Sequence, residues 1–521
     1  MINDQLSRKL YLAALSATGF FLPLSLWMVT FFIIALSFLW LAGGGIKRMS
    51  ELIHAKKNIL IFSLAYLVCL IWMISTSDVS YGLRELKIKL PLLIFPLVIG
   101  LSEPMNRKEL RTIISCFIAG VIISSLAGVI LKINTVLSGL TDSREISLFI
   151  SHIRLAIMTV FAIFCSGWYF LKFSEGKSLL HYFYLAAALW LTTFLFILLS
   201  LTGIILFVVI LSVTMISAIM HYKRTLIKYS LIAALIVIYV SMAFGIVYEI
   251  RSFYSDGGAY TFPPEKFTSN NRKYQHITGR KDIENGNKVW LYINEDELKR
   301  EWNSRSTLAY DSTDRKGQPL RYTLIRYMTS AGLKKDSLGV SALTRKDFSN
   351  IENGITNILF TQGKPVRSKI YEVIWQVDNY LNGGNPSGHS VTQRTEFLKT
   401  GWNIFLRAPL FGTGTGDLNT EYEHQYKLDK TILDPEYRFQ AHNQYLTFLA
   451  SFGISGFILI CCSFVFPLMM AKGKRSYTRI VFFIIIFLSM LGEDTLETHT
   501  GISFFAYFYS IYVFGDGKEA E

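Results

Sequence analysis

AHNQYLTFLASFGISG, residues 441–456, is where a long polar stretch meets an apolar run. Upstream, from about Tyr248 to Gln440, about 190 residues of polar sequence separate strongly apolar segments. Loops longer than about 15 residues in a compact fold are usually functional or disordered. This one carries helical patterns of its own and delivers an imidazole, His442, to the mouth of the next apolar run. The layout suits chemistry on a lipid-linked substrate at the outer face of a bilayer.

Working outward, the chain reads as an all-α polytopic membrane protein. Half of its residues are hydrophobic and aromatics make up 14%, and several runs approach the ~20 residues that cross about 30 Å of hydrocarbon. Spans are expected near 9–23, 25–43, 58–75, 88–102, 110–132, 154–173, 180–199, 201–221, 228–247, 443–470, 479–492 and 500–514. Pro23 divides the first long run, and the stretch from Ser200 to Gly203 divides 180–221. The expected organisation is an N-terminal transmembrane bundle (1–247), a large external domain (248–440) and C-terminal spans with a short tail (441–521).

Lys and Arg set the expected orientation, because short cytoplasmic loops retain positive charge. Arg8 and Lys9, Lys47 to Lys57, Arg107 to Arg111, Lys223 to Lys228 and Lys472 to Arg479 fall on one side if both termini are cytoplasmic. The large loop then faces the periplasm of a diderm bacterium. The net charge of +14 is accounted for by these loops meeting anionic lipid, which argues against a nucleic-acid partner. Cys69, Cys116, Cys165, Cys461 and Cys462 lie in apolar runs and the loop has none, so it is expected to hold together by packing, without disulfides or thiolate-bound zinc.

Within the loop, Ile370, Ile374, Val377 and Leu381 recur at helical spacing, and Gly383 and Gly384 stop that helix. Leu398, Trp402, Phe405 and Leu406 form a second stripe that ends before Pro409. TLIRYMTSAGL and DFSNIENGITNILF also read as helices, and DGGAYTFPPEKF and GGNPSGHS as connectors. Stripes of this kind face a core or a membrane.

His442 and Arg394 are the leading catalytic candidates. A neutral imidazole accepts a proton near neutral pH, and a guanidinium presents a planar fork to phosphate oxygens. Local sequence alone equally allows a helix-start histidine satisfied by backbone and a surface arginine paired with a carboxylate such as Glu396. Asn443 is a candidate substrate contact beside His442. Arg84 and Lys87, with Lys89, precede the fourth span, and His152 and Arg154 open the sixth; these basic groups either contact a diphosphate or simply snorkel. PLFGTGTGD (409–417) lacks the ending of a P-loop and any βαβ context. It reads as a turn, with Asp417 free to bind a sugar hydroxyl. GEDTLETHTG (492–501) matches no specific ligand spacing; a polar cap on a substrate cleft is expected there rather than a metal site.

Residues 394–456 resemble the O-antigen ligase and polymerase (Wzy-type) superfamily. The shared pattern is an Arg opening a helix, PLFGTGTGD, a variable insertion, then HNQYLTFLASFGISG at the start of a span. RELKIKLPLLIFP and EDTLETHTGISFF are similar to the group as well. The resemblance implies a GT-C-like glycosyltransferase, most like the ligase branch. It would take a glycan from undecaprenyl diphosphate and place it on a hydroxyl of lipid A-core at the periplasmic face of the inner membrane. His442 would be the general base and Arg394 would hold the diphosphate, with no cofactor or metal. One departure stands out. Where many members carry Arg in an SRTG segment, this chain has Ser200-Leu201-Thr202-Gly203, so Arg154, Arg84 or Lys87 would supply the missing cation.

Overall fold

The structure, a computed structural model, describes residues 4–49, 56–133, 143–172, 178–255, 264–471 and 476–515. His54, Lys472, Lys474, Arg475 and residues 256–263 of the DGGAYTFPPEKF connector lie outside the described residues. The chain is mostly helical, and it packs as two compact units: residues 1–132, 143–214 and 393–521 in one, and 133–142 with 215–392 in the other. The boundaries expected at 247/248 and 440/441 follow the change from apolar to polar sequence. Packing divides the chain elsewhere, and residues 393–440 join the unit built on apolar helices.

In the first unit the helices are α1 (Asp4–Phe21), α2 (Leu26–Ala42), α3 (Lys57–Ile71), α4 (Val79–Lys89), α5 (Pro91–Gly100), α6 (Arg107–Leu131), α7 (His152–Lys172), α8 (Leu179–Leu198) and α9 (Leu201–Met220), the last running past the boundary between the units. Pro23 falls in the turn before α2, where the Ser25 side chain caps the new helix. Leu199, at φ 49°, ends α8 and separates it from α9. Further helices follow the second unit, whose own elements are α10 (Thr225–Tyr254), a hairpin of β1 (Ile283–Glu284) and β2 (Asn287–Lys288), α11 (Glu295–Asn303), α12 (Leu320–Ser330), α13 (Ser337–Ser341), α14 (Arg345–Glu352) and α15 (Pro365–Leu381). The first unit then resumes with α16 (Gln393–Arg407), α17 (Leu418–Leu428), α18 (Gln444–Met470), α19 (Tyr477–Ser489) and α20 (His499–Ser510).

Among the described residues, seven helices, α3 with the turn that follows it and α6 to α10 and α18, have the length and apolarity to cross a membrane. The chain is a multi-pass membrane protein by that measure. α5, α19 and α20 coincide with expected spans but are 10, 13 and 12 residues long. At 1.5 Å per residue none of these alone reaches across ~30 Å.

The first unit has an aromatic interior. Phe117, Phe161, Phe482, Phe504 and Phe508 meet with ring centroids 5.0–5.9 Å apart, mostly edge-on or tilted, with Phe117 stacked on Phe504. The second unit has a separate core in which Trp302 stacks on Phe348 at 4.9 Å, among Trp290, Leu324, Tyr327 and Ile351.

The expected apolar stripe on α16 is largely outward-facing, and that on α15 is half-buried at Ile370 and Ile374 and exposed beyond them. On α16 the buried residues are Glu396, Phe397, Thr400, Gly401 and Ile404, while Leu398, Trp402 and Leu406 are exposed. Small residues at 400 and 401 let α16 approach its neighbours closely, so the narrow face goes inward and the bulky stripe is left outside. On α15, Tyr371 and Gln376 are buried and Val377 and Leu381 exposed.

Candidate active site

Phe397 and Ile404 of α16, Leu418, Tyr422 and Tyr426 of α17, and Leu446 and Ala450 of α18 form one buried cluster. This packing brings the start of α16 and the start of α18 together from distant sequence. Asn443 is the N-cap of α18: its side chain accepts from Leu446 N at 3.0 Å and its amide donates to the Leu491 carbonyl at 3.0 Å. Both polar atoms of Asn443 therefore serve the fold, in place of the substrate contact expected from sequence.

His442, immediately before the cap, has φ 47°. A non-glycine residue in the left-handed region is strained by about 1–3 kcal/mol and is held there by its surroundings. The restraint is visible: Asp494 accepts the His442 backbone N–H at 2.9 Å, and its other oxygen accepts the Thr447 hydroxyl at 2.7 Å. Phe397 and Phe439 flank the imidazole at 5.6 and 6.3 Å between ring centroids.

Glu493, next to Asp494, meets both candidate catalytic side chains. One oxygen accepts a hydrogen bond from Arg394 Nη2. The other lies 3.6 Å from His442 Nδ1, too long for a hydrogen bond but well within ion-pair range. Glu493 is 5% exposed, whereas Arg394 and His442 keep 30% and 34% of their side-chain surface. The carboxylate is thus an internal post on which two accessible groups rest. Burial pushes its carboxyl up, but His442, Arg394 and Arg154 together pull it below the ordinary carboxylate range. Burial pushes Asp494 up to about 6, against the pull of His442.

Arg154, in the first turn of α7, lies near enough for its charge to act on both Glu493 and Asp494, and its buried Nε has no hydrogen-bond partner. His152 stands two residues earlier, half-buried at the helix start. Arg84 and Lys87 are exposed on α4, with no ion pair holding either to the Glu493 cluster among the described residues. Lys89 is buried instead, bonded to Glu85 and Glu497 at 2.6 Å each. Glu497 also accepts from Gln444 at 2.6 Å, and Gln444 in turn accepts from Leu496 N at 2.7 Å. Leu201 is 41% exposed at the start of α9, where Ser200 caps the helix through Gly203 N.

PLFGTGTGD is more than a turn. Thr413 N and Gly414 N donate to the carbonyls of Ala450 and Ser451, and the Thr415 hydroxyl donates to the Cys69 carbonyl at 2.6 Å. Gly412 (φ 69°) and Gly453 (φ 61°) face each other so closely that a Cβ on Gly453 would stand 2.3 Å from Leu410 C. Asp417 accepts from Ser77 N and Asp78 N at 2.8 Å each. Its carboxylate is committed to the turn before α4 rather than to a sugar. The motif clamps α3, α4 and α18 together behind His442.

Sequence reasoning passed over the individual roles of Glu493, Asp494, Glu497 and Lys89. A signal was present: three carboxylates within five residues, between two apolar helices, need cations in a low-dielectric setting.

No match to the chain is found among curated proteins. Residues 339–461 match the family model described as Wzy_C, O-Antigen ligase. The matched stretch contains Arg394, PLFGTGTGD and His442, while Arg154 and the three carboxylates lie outside it. The resemblance read from Arg394 to Gly456 lies within the stretch that this O-antigen ligase family model matches.

Proposed function

We propose that this protein transfers a glycan from an undecaprenyl diphosphate carrier to a hydroxyl of lipid A-core, at the periplasmic face of a bacterial inner membrane. In this reading both termini are cytoplasmic, the short helices complete a GT-C-like set of about twelve crossings, and residues 248–440 are external. The family match supports lipid-linked glycan transfer. The observation that carries the site assignment is the convergence of Arg394 and His442 on Glu493.

The chemistry follows from those groups. The imidazole of His442 takes the proton of the acceptor hydroxyl as its oxygen forms a bond to the anomeric carbon. The bond from that carbon to the diphosphate oxygen breaks, and the electron pair leaves with the diphosphate. Arg394 faces the developing charge, and Arg154 supplies the second cation in place of the one missing at Leu201. Fixed cationic donors stabilise such a leaving group most where water is scarce. A single displacement inverts the anomeric centre.

The test is a lipopolysaccharide gel of a deletion strain complemented with wild type, His442→Ala or Arg394→Ala at matched protein levels. Bare core with polymer retained on its carrier supports the ligase. Core bearing one repeat unit identifies a polymerase instead, an unchanged ladder points to exported glycoproteins, and turnover by purified protein with lipid-linked donor separates an enzyme from a glycan transporter. Full rescue by His442→Ala removes it as the base.

A further inference from the structure

We infer that Glu493 is a donor-operated positioning residue: it holds Arg394 and His442 in register while the site is empty, and a diphosphate must take Arg394 from it before reaction. The inference rests on the proposed function and deepens it. Arg394 Nη2 bonds one oxygen of Glu493, and His442 Nδ1 stands 3.6 Å from the other. Glu493 is nearly fully buried, so its side chain has little room to turn away. Arg394 is the accessible end of a flexible side chain. A diphosphate carries more charge than one carboxylate and accepts the same planar fork, so it displaces Glu493 from the guanidinium. Once released from Arg394, Glu493 has only the imidazole and the more distant Arg154 to balance it. Its charge then favours the imidazolium that forms as the acceptor loses its proton. Donor binding and activation of the base are thereby coupled through one carboxylate, and a base is not poised until a donor is present.

The coupling predicts opposed kinetic effects. Glu493→Gln frees Arg394 from an ionic competitor, so the donor KM falls by about fivefold. The same change removes the charge that stabilises the imidazolium, so kcat falls about tenfold or more. A residue that merely supported the fold would lower the amount of active protein without lowering KM. The experiment uses purified full-length protein in detergent with lipid-linked donor, alongside a thermal-shift titration with inorganic diphosphate. The expected results are lower donor KM, lower kcat and tighter diphosphate binding in Glu493→Gln, with diphosphate binding lost in Arg394→Ala. Should Glu493→Gln fail to fold, Glu493→Asp, too short to reach both partners, is expected to move KM and kcat in the same opposed directions. Unchanged or raised donor KM in either folded variant overturns the inference. His442→Ala and Arg394→Ala run beside them separate the two levels: wild-type turnover in those variants overturns the proposed function and this inference together, whereas loss of turnover there with no opposed shift at Glu493 overturns this inference alone.

Discussion

The two oxygens of Glu493 are divided between Arg394 and His442, residues about 50 positions apart that open two different helices. The neighbouring Asp494 grips the backbone of the same histidine. One dipeptide in the α19–α20 connection thus sets the imidazole, the guanidinium and the strained backbone between them. The unusual φ of His442 becomes intelligible as a consequence: the backbone turns out of the helix direction so that its N–H reaches Asp494 while the ring reaches Glu493.

Asp417 is expected to act on stability and not on substrate affinity. Its carboxylate accepts two backbone N–H groups in the turn before α4. Asp417→Ala removes these surface hydrogen bonds, at about 0.5–1.5 kcal/mol each. Thermal unfolding in detergent should shift down by several degrees while the donor KM of the folded enzyme stays within about twofold of wild type. A large KM change with an unaltered melting temperature would instead return Asp417 to the substrate site.

Lys89 sits between Glu85 and Glu497, with only 4% of its side chain exposed. Lys89→Met leaves two buried carboxylates without their cation, which costs about 3–5 kcal/mol. Lys89→Met combined with Glu497→Gln removes part of that imbalance and should recover part of the loss. Melting temperatures and folded yield of the two variants decide this; a double variant no better than the single would mean that Lys89 acts through packing.

Asp494 and Glu493 should leave opposite marks on stability against pH. The folded-state pKa of Asp494 is about 6, against an ordinary 3.8, because burial penalises its charge. The folded state therefore binds that proton more tightly than the unfolded chain, and stability falls as pH rises from about 4 to 6. Asp494→Asn keeps an acceptor for His442 N and removes the titration, so it should gain on wild type across that interval and hold a constant difference above it. For Glu493, burial raises the carboxyl but His442, Arg394 and Arg154 outweigh it, and the folded pKa lies below the ordinary 4.5. Its contribution is present above that range and lost as pH falls through the lower folded value. Glu493→Gln should accordingly lose on wild type as pH rises out of the acid range. The check is a melting-temperature series from pH 3.5 to 8 for all three proteins.

Much of the architecture could be read from apolar run length and from breakers. Pro23, Ser200 and Gly383 mark helix ends that packing respects. Burial was harder to read where a helix has apolar residues on two sides. On α16, Leu398, Trp402 and Leu406 outshine Thr400 and Gly401 in hydrophobicity, yet the small pair is inside because it permits close approach. Among the candidate site residues, Arg394 and His442 announced themselves through residue chemistry and a shared motif, and packing joins them. Asn443 and Asp417 carry equally suggestive side chains, but backbone groups claim them. No local pattern reveals which polar side chain a distant backbone will occupy. Glu493 reads from sequence only as part of a polar cap, for a related reason: its meaning lies in two partners, one about 50 and one about 100 residues upstream.

The most direct measurement is turnover of purified protein with a polyprenyl-diphosphate-linked glycan and lipid A-core, comparing wild type, His442→Ala, Arg394→Ala and the double variant. If both side chains serve one transfer step, each single variant loses about 10²- to 10⁴-fold in kcat/KM, and the double variant loses little more than the worse single one. Wild-type turnover in either single variant, or losses that multiply as for independent sites, would contradict a shared active site at Glu493.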